Sequence, residues 1–397
     1  MGAFENAKAF SKEEVLSKIA ALGITGTGLC RDSLADILAA GAAESAEEGK
    51  DLGVVVALNN ADTDKALLGI LTAAPEKVFA GAAIAAYAIG AKKIQLNVPE
   101  ENAALVEEYK ELAEKYGVNV ESGIVNVRAV KGSALVHIAT AADLTDAFDG
   151  GYEAGVYVSV NGGEVKKVAP DTKIADLADT AEATALIVGY CVYGPDAAQK
   201  TVAEVVPENG VIRVLTKAQC VIAETDKLLS ASKAQSCGKC VFCREGLIQL
   251  QYMTGEIIKG KGKNDFVDFT KEIGSAMTFS TPCTMGQNCS RIALSAVEKF
   301  ADVYDAHIKK KKCDVCFSKE AVYIDPMACT GCGDCEDECP KGAIMGKPRY
   351  IYMIDSIDCD ACGKCIAACD EGCIIKTSDK LPKLPDKLTK VGRFKKR

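Results

Sequence analysis

The sequence has no tryptophan, only two histidines, and no charge-free apolar run of the roughly eighteen residues that a membrane span needs. So little histidine leaves His-based zinc or haem chemistry almost nothing to work with. The opening MGAFENAKAFSKEEVLSK carries acidic residues and lacks the basic-then-apolar order of a secretory leader, so the chain is expected to be cytoplasmic. It also lacks a basic excess. The formal net charge is −8, which argues against a nucleic-acid binder. The basic end KVGRFKKR reads as a solvated tail, the other reading being a dock for an acidic partner. No Ser/His/Asp arrangement, Walker loop or paired-carboxylate motif stands out, and no catalytic residue is assigned.

What is present in excess is cysteine. Of 19 cysteines, three (Cys30, Cys191, Cys220) precede residue 237, and the other 16 lie between Cys237 and Cys373. Two-residue gaps in a chain expected to sit in a reducing compartment read as metal ligation, not disulfides. At 397 residues the chain exceeds one ordinary core. We expect an α/β multidomain protein: an α/β domain over 1–150, a β-grasp domain over 151–215, a helical cluster domain over 216–310, and a two-cluster ferredoxin domain over 311–397.

The patterning supports that division. GVVVALNN is the continuous apolar run of a buried parallel strand. PEKVFAGAAIAAYAIGA reads as a close-packing helix, KKIQLNVP as a strand, ENAALVEEYKELAEKYG as one amphipathic helix with Leu105, Tyr109 and Leu112 on one face, and VNVESGIV as a strand. Strand–helix–strand units of this length imply a parallel sheet. VYVSVNGGEVKKVAP reads as a hairpin about Gly162–Gly163, DTKIADLADT as a short helix with an Asp/Thr cap, and ALIVGYCVYG as a strand. Helices follow up to Ser236, through REGLIQLQYMTGEII and through RIALSAVEKFADVYDAHI, before a charged hinge, KKKKCDVC.

The strongest motif is C-x2-C-x2-C-x3-C-P at Cys329, Cys332, Cys335, Cys339 and Pro340, repeated without the proline at Cys359, Cys362, Cys365 and Cys369. Three cysteines at two-residue gaps wrap a loop round three corners of a cube, and the fourth reaches the neighbouring cluster. This gives Cys329, Cys332, Cys335 and Cys369 to one [4Fe–4S] cluster and Cys359, Cys362, Cys365 and Cys339 to another. SCGKCVFCREG supplies a third set, Cys237, Cys240 and Cys243, with Cys283 in STPCTMG as the fourth ligand. Lys239 and Arg244 add positive charge there; spacing alone leaves zinc as the alternative. Cys313 and Cys316 form a further C-x2-C near His307. They read either as a zinc site completed by His307 and Cys289, or as reduced thiols in a loop. Cys373 is expected to pack near the second ferredoxin cluster. Cys30, Cys191 and Cys220 are expected to be buried small hydrophobes, and His137 in SALVHIAT a satisfied core residue.

The SxGxCxxCREG pattern with its distant TxCxxG resembles the iron–sulfur domain of the flavin- and NADH-binding (51 kDa-type) subunit of respiratory complex I. The same subunit type occurs in bifurcating [FeFe]-hydrogenases and NAD-dependent formate dehydrogenases. The resemblance implies a Rossmann-like flavoprotein domain with AAYAIGAKK at its helix-to-strand junction, an SLBB-like β-grasp domain and, as in the hydrogenase and formate dehydrogenase forms, a C-terminal bacterial 2[4Fe–4S] ferredoxin domain. Three segments depart from the family. GITGTGLCRDS (Gly23 to Ser33) stands where the family has GxRGRGGAGFPTG round the flavin phosphate. NNADTDKALL (Asn59 to Leu68) replaces NADEGEPG, leaving Asp62 and Asp64, and KGSALVHIATAADL (Lys131 to Leu144) replaces GAGAYICGEETAL. Leu29, Cys30 and Arg31 put side chains where the family has glycines, and Gly23, Gly26 and Gly28 alone are a weak phosphate signal.

The expectation is therefore an electron-relay subunit carrying three [4Fe–4S] clusters, without FMN or NAD(H), whose partners are other subunits of an oxidoreductase: a flavoprotein, hydrogenase, formate dehydrogenase or another reductase. A soluble ferredoxin is a further candidate partner, and anaerobic metabolism the natural setting. The rival expectation is an active NADH dehydrogenase with an unusual FMN loop.

Overall fold

The apolar run at Gly53 forms the central strand of a four-stranded parallel sheet. The computed structural model describes residues 2–28, 31–317, 321–356, 358–378 and 381–395; Leu29 and Cys30 lie outside them. Helices α1 (Ala3–Lys8), α2 (Lys12–Ala21) and α3 (Leu34–Glu48) precede strand β1 (Gly53–Ala57), with a reciprocal Ser11/Glu14 capping box opening α2. Then come α4 (Leu68–Ala73), α5 (Pro75–Ile89), β2 (Lys93–Val98), α6 (Ala104–Glu108), α7 (Lys110–Tyr116), β3 (Asn119–Ser122), β4 (Ser133–His137) and α8 (Ile138–Asp149). The strand order is β3-β2-β1-β4, with Gly53 opposite Lys93 on one side and Ser133 on the other. Pro75 opens α5, and Gly90, at φ 70°, ends it. A Cβ on Gly81 would overlap the Ala141 carbonyl, lying 2.6 Å from its carbon, so only glycine lets α5 and α8 close to this distance. The helix expected over 101–117 is broken at Tyr109, whose ring is buried edge-on against Phe79 with centroids 5.9 Å apart.

A five-stranded sheet follows: β5 (Val156–Val160), β6 (Lys166–Val168), helix α9 (Ile174–Leu177), β7 (Ala185–Val188), β8 (Cys191–Tyr193) and β9 (Val211–Leu215). Its order is β6-β5-β9-β7-β8, with β5 and β9 parallel and the other pairs antiparallel. The hairpin turns at Asn161 (φ 50°) and Gly162 (φ 78°), one residue earlier than the sequence suggests, because a two-residue turn of this hand needs positive φ at both centres. The stretch read as one strand over ALIVGYCVYG is two, reversing at Gly189. Lys173 caps α9 with no side-chain bond, so the expected Asp/Thr cap does not form.

The helical stretch comprises α10 (Val221–Gln235), α11 (Val241–Ile258), α12 (Phe266–Phe279), α13 (Thr284–Asn288), α14 (Arg291–Lys299) and α15 (Ala301–Ile308). The last expected helix is thus two, divided at Phe300. The chain forms two compact units, Met1–Ile257 with Gly262–Asp305, and Ile258–Lys261 with Ala306–Arg397.

In the second unit β10 (Ala321–Ile324) pairs antiparallel with the last strand, β13 (Ile374–Thr377). Between them lie α16 (Asp334–Asp337), β11 (Ile344–Met345), β12 (Met353–Ile354), which pairs with β11, and α17 (Lys364–Ala367). Each short helix follows a glycine at positive φ, Gly333 or Gly363, between the second and third cysteines of its triplet. The core is small, and Cys329, Cys335, Cys365 and Cys373 are part of it alongside Val322, Ile324, Ile351 and Tyr352. Among the described residues no helix is long and apolar enough to cross a membrane.

Candidate metal centres

In the first unit, the loop between α10 and α11 carries Cys237 and Cys240 and hands Cys243 to the first turn of α11. Cys283 is the N-cap of α13. All four line one small cavity with Asn60, Ser236, Thr281 and Met285. Gly238, at φ 69°, allows the tight reversal, and its carbonyl accepts from the Arg244 guanidinium at 2.9 Å. The Arg128 guanidinium approaches the Cys240 sulfur at 3.8 Å. Burial pushes the Cys283 thiol up, while the backbone N–H groups of Gly286 and Met285 and the Asn60 amide act the other way. Four soft sulfurs round one cavity, with N–H donors facing one of them, fit the donor set of a cubane cluster.

Cys289 also belongs to this neighbourhood. It is buried, and its hydrogen bond to Cys243 pulls the Cys243 thiol down to about 6. The expectation that Cys289 completes a zinc site with His307 is therefore corrected: its sulfur bonds to Cys243, because α13 and α14 carry it back beside α11. In the second unit, His307, Cys313 and Cys316 each offer a ligand atom within 4.8 Å of the others. His307 is buried with its ring 5.3 Å from that of Phe317, and the Cys316 N–H donates to Cys313 Sγ at 3.3 Å.

The ferredoxin-like sites lie in the same unit. Cys339 lines one cavity with Cys359, Cys362 and Cys365, so the fourth cysteine of the first motif stands with the second triplet. Cys335 is pushed up to about 12 by burial, with the sulfurs of Cys332 and Cys329 adding to the effect. Cys373, expected near the second cluster, is instead 3.3 Å from Cys369, and Cys329 also acts on its thiol. The strand ladder of β10 and β13 causes this, because it folds the end of the chain back onto the first triplet.

The three departures from the flavoprotein pattern meet at the carboxyl ends of β1 and β4, where a parallel sheet presents its ligand crevice. Here the glycine loop spends its polar groups internally. Thr27 N–H donates to Thr140 Oγ1 at 3.1 Å, Gly26 N–H to the Asp32 carbonyl at 2.9 Å, and the Thr27 carbonyl accepts from Asn59 Nδ2 at 3.4 Å. Asn59 fills the space against Gly28, where a Cβ would stand 2.5 Å from its amide nitrogen. Asp62 is buried and accepts from Asn59 N–H at 3.1 Å, His137 Nε2 at 3.2 Å and the Tyr190 hydroxyl. His137 Nδ1 accepts from Ala139 N–H, which leaves the ring proton on Nε2 and makes this the satisfied core histidine that its apolar context suggests. Asp64 pairs with Arg213. A cavity of about 340 Å³ remains beside the loop, bounded by Val55, Leu135, Asn59, His137 and Cys283; no Lys or Arg is among the described residues that line it. These residues do not make a phosphate cradle.

Cys220 is buried at the N-cap of α10, and Cys191 is half-buried at the start of β8. Asn60 and Tyr190 were not singled out by sequence; the only signal for Asn60 was its place in the family's NAD segment.

Two family models match the chain. Residues 223–307 match the iron–sulfur binding region of NADH-ubiquinone oxidoreductase F, and residues 328–374 match a 4Fe–4S dicluster domain. HndC, a component of the NADP-reducing hydrogenase of Solidesulfovibrio fructosivorans, is 34% identical over 140 residues, 35% of this chain and 29% of that protein. The F component of the NADH-quinone oxidoreductase of Mycobacterium bovis is 26% identical over 102 residues, 26% of this chain and 23% of that protein. The matched stretches thus span less than a third of these relatives' own lengths. An NAD+-reducing [NiFe]-hydrogenase in its H2-reduced state shares the fold, with a TM-score of 0.64 at 15% identity over 78% of this chain and 65% of that one.

Proposed function

We propose that this chain is an iron–sulfur electron-relay subunit of a larger, flavin-dependent oxidoreductase, and that it makes and breaks no substrate bonds itself. The observation that carries the reading is the contrast between its two kinds of site. Cys237, Cys240, Cys243 and Cys283 line one cavity and Cys339, Cys359, Cys362 and Cys365 another, while the loop that would hold a flavin phosphate is bonded to Thr140, Asp32 and Asn59. Cys237, Cys240, Cys243 and Cys283 would hold one cluster. The crossed sets Cys329, Cys332, Cys335 with Cys369, and Cys359, Cys362, Cys365 with Cys339, would hold two more. A bound cluster supplies a one-electron change, whose potential depends on charge, burial and hydrogen bonds to sulfur. The chain's own part is to set those terms: the N–H groups of α13 and the Asn60 amide face Cys283, and Arg128 faces Cys240. Cys237, Cys332 and Cys362 are exposed, which supports electron entry and exit through partner proteins. Exposed Val241 and Phe242, which follow Cys240 in the chain, offer such a partner an apolar contact. Those partners would be a flavoprotein, a hydrogenase, a formate dehydrogenase or another reductase, with a soluble ferredoxin at one end.

The test is direct. Purified, reconstituted chain incubated with FMN and desalted should hold no flavin and should not reduce a dye with NADH, yet its clusters should accept electrons from dithionite. A stoichiometric flavin spectrum with NADH-dependent dye reduction would overturn the proposal. The rival reading, an active FMN-dependent NADH dehydrogenase, is favoured by one observation: a cavity of about 340 Å³ persists next to Cys283.

His307, Cys313 and Cys316 are proposed to bind zinc, which takes such nitrogen and sulfur ligands in tetrahedral sites. Anomalous scattering at the zinc edge should locate the ion there, and its absence from anaerobically purified, unchelated protein would remove the idea.

A further inference from the structure

The second unit is an internal repeat, and the two halves differ at one informative place. After Cys339 the chain runs Pro-Lys-Gly-Ala-Ile, and after Cys369 it runs Asp-Glu-Gly-Cys-Ile. The backbones match. Gly342 (φ 59°) donates its N–H to the Cys339 carbonyl at 3.1 Å, and Gly372 (φ 58°) donates to the Cys369 carbonyl at 2.9 Å. The next residue accepts from an aspartate N–H in each half, Ala343 from Asp355 at 2.8 Å and Cys373 from Asp325 at 2.7 Å. That aspartate's carbonyl in turn receives the N–H of the first cysteine of a triplet, Cys359 or Cys329, at 3.0 Å in both. Ala343 and Cys373 are therefore the same position, and alanine satisfies it in one half. The fold has no need of a sulfur there.

The sulfur is nevertheless well placed. Cys373 is 5% exposed, and a strand ladder begins at the next residue. Its Sγ lies 3.3 Å from that of Cys369, and the Cys329 sulfur is also a neighbour. Five thiols thus serve a site that needs four.

We propose that Cys373 is a standing replacement ligand for the corner of the cluster assigned to Cys369. In the exchange the Cys373 thiol gives up its proton and binds iron, while the Cys369 thiolate leaves iron and takes up a proton. One Fe–S bond forms, one breaks, and no electron moves. The inference rests on the reading that Cys329, Cys332, Cys335 and Cys369 share one cluster.

Iron and acid-labile sulfide content of the full chain, reconstituted anaerobically, tests it. Cys369→Ala and Cys373→Ala should each match the wild type. Cys369→Ala/Cys373→Ala should lose about one third of both, one of three clusters, while the electron paramagnetic resonance signals of the remaining clusters report an intact fold. If Cys369→Ala alone loses as much as the double variant, the proposal fails. Cys332→Ala checks the underlying reading: it should lose the same third, and full retention there would remove the ligand set and the proposal with it. A second measurement uses only a variant whose fold the repeat vouches for. Under ferricyanide, Cys373→Ala should lose its cluster absorbance faster than the wild type, and an unchanged half-life would overturn the replacement role.

Discussion

Replacing Asp62 by alanine should cost more stability than any other single change at the carboxyl end of the parallel sheet. The carboxylate is 4% exposed and takes three donors: the Asn59 N–H, His137 Nε2–H and the Tyr190 hydroxyl. Alanine strands all three. A buried donor left without a partner costs about 1–3 kcal/mol, and water entering the vacated space recovers part of the sum, so the expected loss is about 3–5 kcal/mol. Asp62→Asn keeps an oxygen towards His137 and Asn59 and lets the Tyr190 hydroxyl turn round to accept from the new amide, at about 1 kcal/mol. Tyr190→Phe leaves the carboxylate with two of its three donors and should cost about 1–2 kcal/mol. A two-unit chain does not unfold in one step, so the readout is hydrogen exchange of the β1 and β4 amides, which reports local opening energies. Protection in Asp62→Ala within tenfold of the wild type, a difference under about 1.4 kcal/mol, would refute the reasoning, as would a larger loss in Tyr190→Phe. Because Asn60 lies two residues from Asp62 and lines the cavity of Cys237, Cys240, Cys243 and Cys283, the alanine variant should also lose the cluster proposed there sooner under denaturant.

Three further outcomes are expected. Gly81→Ala drives a methyl into the Ala141 carbonyl and should destabilise the first unit by about 3 kcal/mol, whereas Gly255→Ala, whose nearest neighbour would be Asp226 at 3.7 Å, should be neutral or stabilising by up to about 1 kcal/mol; thermal unfolding separates the two. Asn60→Leu should shift the midpoint of the cluster proposed at Cys237, Cys240, Cys243 and Cys283 to a lower potential, since a donor near Cys283 is lost, and a spectroelectrochemical titration would show it. Zinc content should fall to background in Cys313→Ser/Cys316→Ser, measured by mass spectrometry of the purified protein, while iron content is unchanged.

The sequence made the cysteine triplets and the parallel sheet legible because both are local signals: a fixed gap of two, and short apolar runs bounded by turn residues. What it hid was set by distant parts of the chain. The path of Cys373 depends on β13 pairing with β10, some fifty residues earlier. Cys289 lies near the hinge in sequence, yet the helical fold delivers it to Cys243. Helix α12 was missed although Phe266, Thr270, Gly274 and Met277 recur at helical spacing on its buried side; two of the four are polar or lack a side chain, which blunts an apolar pattern. The departures in the glycine loop were visible in the sequence, but the partners of its backbone, Thr140 and Asn59, could only be found in three dimensions.

The placement of Cys339 has a consequence for how the protein is made. It stands with Cys359, Cys362 and Cys365, while Cys369 stands against Cys373, whose other sulfur neighbour is Cys329. In the proposed ligand sets neither triplet is completed by its own stretch of chain. A ribosome that has released residues only as far as Pro340 presents a half-finished pair of claims on iron. Completion of the first triplet is therefore expected to wait until the last strand emerges, and a chain stopped short of Cys369 should reach the cell's quality control with that place unfilled.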